Sequence, residues 1–152
     1  MSAPHLKKLA VAVDGSANGE TALEWAIDLA QRYSAEITII AVAPIIPVYI
    51  NSTEPFVPAG VPPSQVDQYR QITEAAVKKV QAAGVKGVTG VTYEGVVIDE
   101  ILNYLDHHTT DLVVMGSRGL STGKRILLGS VSTGVVTHAH CPVLVVHPSA
   151  TK

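Results

Sequence analysis

The stretch GSRGLSTGKRILLGS, from Gly116 to Ser130, combines glycines, serines and basic side chains directly after an apolar run. These residue types hold phosphate: backbone N–H groups that glycine leaves accessible, hydroxyls and cations all donate to an anion's oxygens. A Walker A loop requires G-x-x-x-x-G-K-[ST]. The Gly123-Lys124 pair fails that pattern twice, because Arg118 stands where the first glycine belongs and Arg125 where the magnesium-binding hydroxyl belongs. The dinucleotide fingerprint G-x-G-x-x-G fails too, since Gly116 and Gly119 are separated by two residues. What remains is Gly116-x-x-Gly119, nine residues, then Gly129-Ser130. The first glycine pair lets the backbone turn sharply and approach a sugar or phosphate. Gly129-Ser130, continued by Val131 and Ser132, reads as a helix N-terminus whose free N–H groups and dipole favour an anion, with the Ser130 and Ser132 hydroxyls as added donors. Arg118, Lys124 and Arg125 either face that anion or form a solvated basic loop.

A second polar cluster, Asp14-Gly15-Ser16, lies near the other end of the chain. It is either part of a ligand site or a cap for the helix that follows. Hydrolysis of a nucleoside triphosphate needs a placed water, an acid or base and usually a metal-holding carboxylate. Asp14 is the one obvious candidate, so the residues support holding a nucleotide more firmly than consuming one, and no catalytic residue is assigned. Adenylyl-transfer motifs of the H-I-G-H or S-G-G-x-D-S type are absent from the sequence. His138-Ala-His140-Cys141 invites a metal reading, but its place at the end of the last helix favours imidazoles at a negative dipole end, with Cys141 packed before Pro142. His107-His108 reads as a helix end in the same way.

These residues need elements to position them. Leu9 to Val13 is an apolar run stopped by Asp14-Gly15-Ser16, and Ala17 to Tyr33 carries Ala22, Trp25, Ala26, Leu29 and Ala30 at helical spacing. Glu36 to Ala43 reads as a second strand. Gln65 to Ala83 reads as a helix with Val66, Tyr69, Ile72, Ala76, Val77 and Val80 on one face. Val88 to Glu94 is a third strand, followed by a helix from Val97 to His107. Asp111 to Met115 is a fourth, then a helix from about Ser130 to Ala139 leads into a fifth, Pro142 to His147. Strands alternating with helices, each strand apolar on both faces, predict an α/β fold with a parallel sheet covered on both sides. The segment 44–63 holds six of the nine prolines and reads as a long connection, either a lid, an interaction loop or a tolerated insertion.

The bulk numbers set limits on function. With 152 residues, 47% of them hydrophobic and 16% charged, the chain is sized for one domain spanning 1–152. A formal charge of −2 gives no overall basic field for nucleic acid or anionic membranes, so any anion site is local. The single cysteine excludes an intrachain disulfide, and the apolar run at Leu9 to Val13 is too short for a signal core or membrane span. A cytoplasmic protein without nucleic-acid or membrane partners is expected.

The spacing G-2x-G-9x-G-S resembles the nucleotide-binding pattern of the universal stress protein family. The likeness extends to AVAVDGS near the start, to IIAVAP, to DLVVMGSRG and to LLGSVSTGVVTHAHCPVLVV, in the family's order along nearly the whole chain. The resemblance implies a three-layer, Rossmann-like fold akin to the adenine nucleotide alpha-hydrolases, with five parallel strands in the order 3-2-1-4-5. Its topological switch point lies between strands one and four. It further implies an adenine nucleotide as ligand, ATP or else ADP or AMP, with Mg carried on the phosphates. By similarity, Ala12 and Val13 line the pocket, Asp14 meets the ribose and Val42 walls the adenine. Met115, Gly116, Arg118 and Gly119 wrap the ribose and inner phosphates, and Gly129, Ser130, Val131 and Ser132 form the anion-binding helix start. The fifth strand, wholly apolar yet at a sheet edge, needs a partner. The family's usual solution is a homodimer through that strand, Pro142 to His147.

Overall fold

A computed structural model describes residues 5–45, 60–119 and 128–148. Nine elements alternate along them: β1 (Lys8–Ala12), α1 (Ala17–Tyr33), β2 (Glu36–Pro44), α2 (Pro63–Ala82), β3 (Val88–Gly95), α3 (Val97–His107), β4 (Leu112–Gly116), α4 (Ser130–His138) and β5 (Val143–Val146). The strands form one parallel sheet in the order β3-β2-β1-β4-β5. β1 is central, with Ala10 paired to Thr38 of β2 on one side and to Val113 of β4 on the other.

Alternation along the strands divides the core into two layers. Leu9, Val11, Ile37, Ile39 and Val114 pack against α1 and α2, while Ala10, Ile40, Val42, Val113 and Met115 pack against α3 and α4. Both faces of the central strands are therefore covered, which is why their sequences read as continuous apolar runs. The start of β1 is tied to the start of β4 by Asp111, whose Oδ2 accepts from the backbone N–H groups of Lys7 and Lys8, each at 2.8 Å.

Three expectations need correcting. Trp25 is 51% exposed although Ala22 and Ala26 on the same helix are fully buried; it lies on the flank of α1, outside the face that meets the sheet. β3 is not apolar on both faces: it is an edge strand, and Thr89, Gly90 and Glu94 are exposed. The proline-rich connection is shorter than 44–63, because Pro44 ends β2 and Pro63 opens α2, where a missing N–H and a fixed φ suit the first helical turn. Residues 46–59 of that segment lie outside the described residues, as do Lys124 and Arg125. No helix among the described residues is long and apolar enough to cross a membrane.

Candidate functional site

At the carboxyl end of the sheet β1 and β4 part, their following helices leaving on opposite faces. This is where the order of connection reverses and where such sheets open a crevice. A cavity of about 510 Å³ occupies it. All twelve residues singled out from the sequence line this cavity: Ala12, Val13, Asp14, Val42, Met115, Gly116, Arg118, Gly119, Gly129, Ser130, Val131 and Ser132. The twelve come from four separate segments of the chain, so residues more than a hundred positions apart become neighbours.

The turn from β1 to α1 serves two purposes at once. Ser16 is the N-cap of α1, its hydroxyl accepting from Gly19 N–H at 3.1 Å. Asp14 Oδ1 accepts from Ser16 N–H at 2.9 Å, which fixes the carboxylate. Its other oxygen, Oδ2, lies beside Gly119, 2.8 Å from where a Cβ would stand. The cap and the cavity carboxylate are thus both present in Asp14-Gly15-Ser16. Gly15 makes the turn possible at φ +83°, a left-handed conformation that costs other residues strain.

The glycines of the β4 exit, which the sequence-based reading gave to the ligand, line the cavity and also admit close groups of the chain itself. A Cβ on Gly116 would sit 2.8 Å from Asn18 Cβ and 3.0 Å from Asn18 C, so its bare Cα is what lets the first turn of α1 pack on β4. Asn18 Nδ2 also donates to the Arg118 carbonyl at 3.2 Å, bracing the segment that follows. Gly119 leaves room for the Asp14 carboxylate. The close approach is real, but the approaching groups are the chain's own.

At the start of α4, Gly129 has an extended backbone and no side chain to cap the helix. Its own N–H donates to the Ser117 carbonyl at 2.6 Å. The uncapped N–H groups of the first turn, at Ser130, Val131 and Ser132, give the cavity its positive dipole end. The Ser132 hydroxyl corrects the expectation of an anion donor: it is buried and bonds the carbonyls of Ser117 at 2.9 Å and Gly129 at 3.0 Å. Since carbonyls only accept, its single proton is committed to locking the loop onto the helix start.

Several lining residues went unnoticed in the sequence. Ile40, Val97 and Ile101 extend the apolar wall formed by Val42 and Met115, while Gln65 and Tyr69 reach in from α2. Apart from Gln65, which nothing marked, only their places in apolar runs and faces drew notice, and a helical stripe does not tell which of its residues faces a cavity. Burial, and after it the charge of Asp14, raises the Tyr69 phenol above its ordinary range.

The histidine cluster is elsewhere. His138 Nδ1 donates to the Gly134 carbonyl at 2.9 Å at the end of α4, and His140 Nε2 stands 3.6 Å from Asp106 Oδ1. His107 and His108 bond the carbonyls of Asn103 and Tyr104 at the end of α3. Among the described residues, no group of three or more His, Cys, Asp or Glu is disposed to hold a metal ion. Burial raises the Cys141 thiol, which keeps it protonated at neutral pH.

Comparison with known proteins follows the same lines. The profile of the Universal stress protein family matches residues 5–147. The chain is 36% identical to universal stress protein MJ0531 of Methanocaldococcus jannaschii over 149 residues, covering 92% of this chain and 81% of that protein. It is also 36% identical to universal stress protein YxiE of Bacillus subtilis over 147 residues, covering 91% and 97%. A universal stress protein solved in complex with cAMP superposes with a TM-score of 0.70 at 27% identity, over 95% of this chain and 99% of that one. Fold, motif order and relatives agree, and the chain belongs to the universal stress protein family.

Proposed function

We propose that this chain is a cytoplasmic, single-domain regulatory module of the stress response that holds an adenine nucleotide, with ATP as ligand and ADP or AMP as alternatives. The observation that carries the reading is the convergence of β1, β2, β4 and α4 on one mostly apolar cavity with polar groups at the β1 and β4 exits and the α4 start. Val42 and Met115 would receive the adenine, and Asp14 would accept from the ribose. Arg118 and the first turn of α4 would hold the phosphates, where a helix N-terminus and a cation favour negative charge. Asp14 is the sole carboxylate among the described residues lining the cavity, and one of its oxygens is already bonded to Ser16 N–H. Mg would therefore be carried on the phosphates rather than caged by the protein. That single carboxylate among the described lining residues supports retention of the nucleotide over turnover.

A second copy of the chain is proposed as partner. β5 ends the sheet, and its outward edge among the described residues has no strand beside it, an arrangement that favours strand pairing between copies along Pro142 to His147. The test of the nucleotide reading is mass spectrometry of small molecules released from the denatured, freshly purified protein, with titration calorimetry against ATP, ADP and AMP. An adenine nucleotide is expected to be released or to bind, and Gly129→Ala to weaken it. A protein that carries none and binds none of the three refutes the reading.

A further inference from the structure

One wall of the cavity has no role in the nucleotide reading: Gln65 and Tyr69, a turn apart near the start of α2. The contacts around them fix where Tyr69 stands. One turn before it, Gln65 Nε2 makes a long hydrogen bond, 3.5 Å, to the Pro44 carbonyl at the exit of β2. Three residues after it, Ile72 Cδ1 lies 3.0 Å from where a Cβ on Gly15 would be. Tyr69 thus stands between the exit of β2 and the Asp14-Gly15 turn, between the apolar wall and the carboxylate.

Its ring is half-buried against the α1 and α2 side of the core, so the aromatic stem is held. Burial first, and the Asp14 charge second, raise the phenol's pKa, so it keeps its proton at neutral pH and remains a donor. A neutral donor and a carboxylate acceptor facing one cavity match the chemistry of a sugar hydroxyl, which accepts from the one and donates to the other.

We propose that Tyr69 and Asp14 together read a ribose hydroxyl, making Tyr69 the residue through which this site prefers ribonucleotides to deoxyribonucleotides. The inference rests on the nucleotide reading above and adds to it the sugar class and a residue outside the glycine motif. Tyr69→Phe keeps the ring and its packing and removes only the hydroxyl.

The test is calorimetric titration of the intact protein and of Tyr69→Phe with AMP, 2′-deoxy-AMP and 3′-deoxy-AMP. The unsubstituted protein is expected to bind AMP about tenfold to a hundredfold tighter than at least one deoxy analogue, which loses the bonds to both Tyr69 and Asp14. In Tyr69→Phe that ratio falls about fivefold to tenfold, the remainder being the bond to Asp14, while the affinity for the same analogue is unchanged. A preference that survives intact in Tyr69→Phe, an equal loss for all three ligands, or no preference in the unsubstituted protein overturns the role of Tyr69. If the unsubstituted protein binds no nucleotide, the broader reading falls and this one with it. Normal AMP binding with an undisturbed ratio sinks Tyr69 alone.

Discussion

Gly116 and Gly119 belong to one motif, yet their neighbours give them separate roles, and alanine at each position tells the roles apart. At Gly116 a Cβ would lie 2.8 Å from Asn18 Cβ, 3.0 Å from its carbonyl carbon and 3.1 Å from its oxygen. Two of those atoms are backbone in the first turn of α1, which is anchored by the Ser16 cap and by Glu20 N–H bonded to the Ser16 carbonyl at 3.0 Å. They cannot rotate away, and carbon contacts relax only at about 3.5–4.0 Å, so α1 must shift against β4. Overpacking of this kind costs about 1–3 kcal/mol. A domain of this length loses about 2–4 °C per kcal/mol, so Gly116→Ala should melt about 2–12 °C lower, whether or not a nucleotide is bound. At Gly119 the new Cβ meets, among the described residues, Asp14 Oδ2 alone, at 2.8 Å. A carboxylate at the end of a side chain can swing, so Gly119→Ala should melt within about 2 °C of the unsubstituted protein. Its ATP affinity should fall about tenfold, because Asp14 is turned from its position in the cavity. Circular dichroism melts of the nucleotide-free proteins and titration calorimetry with ATP read both quantities. An unchanged melting temperature for Gly116→Ala with weakened binding would return that glycine to the ligand and refute the packing argument.

Three further outcomes are expected. Ser132→Ala removes the hydroxyl that bonds the carbonyls of Ser117 and Gly129; urea unfolding should show a loss of about 1–2 kcal/mol, whereas a large loss of ATP affinity at unchanged stability would restore Ser132 as a phosphate donor. Asp111 is held below the usual carboxylate range by the N–H groups of Lys7 and Lys8. Its stabilising effect is present above the unfolded value of about 3.9 and is lost as pH falls through the lower folded value, so Asp111→Asn should flatten the acid side of the pH–stability curve below about pH 4. In β5 the carbonyls of Pro142 and Val146 accept from β4, so the backbone groups of Val143 and Val145 point outward. Val145→Pro should convert the proposed dimer to a monomer in sedimentation velocity at micromolar protein with the fold retained; a dimer that survives places the interface elsewhere.

Much of the fold was legible because parallel α/β architecture writes itself in local signals. Leu9 to Val13 and Glu36 to Ala43 are apolar without alternation because both faces of a central strand are covered, and the helices between them carry apolar stripes. The least legible strand was β3, whose Thr89, Gly90 and Glu94 are exposed because it lies at an edge. Trp25 was misread for a related reason: helical spacing locates a face, not its margin, and one residue's rotation carries a ring from core to solvent.

Gly116, Gly119, Gly129 and Ser130 stood out by type and spacing, as glycines at a strand exit followed by glycine and serine at a helix start suit an anion, whereas Ala12, Val13, Val42 and Met115 came from the family resemblance. What those residues touch was not legible. Gly116 is bare for the sake of Asn18, Gly119 for Asp14, and the Ser132 hydroxyl is bonded to carbonyls; each relation joins segments distant in sequence or separated by a loop. Tyr69 shows the same limit most plainly. Along the chain it is one apolar-face residue of α2 among six, and it becomes a wall of the cavity because Ile72, a turn further on, rests on Gly15. Sequence alone determined the elements, their order and the polar residues at strand exits, because backbone propensity and periodicity are local properties. Tertiary structure decided which side chain meets which, because contacts depend on how helices seat on the sheet, and no single segment carries that information.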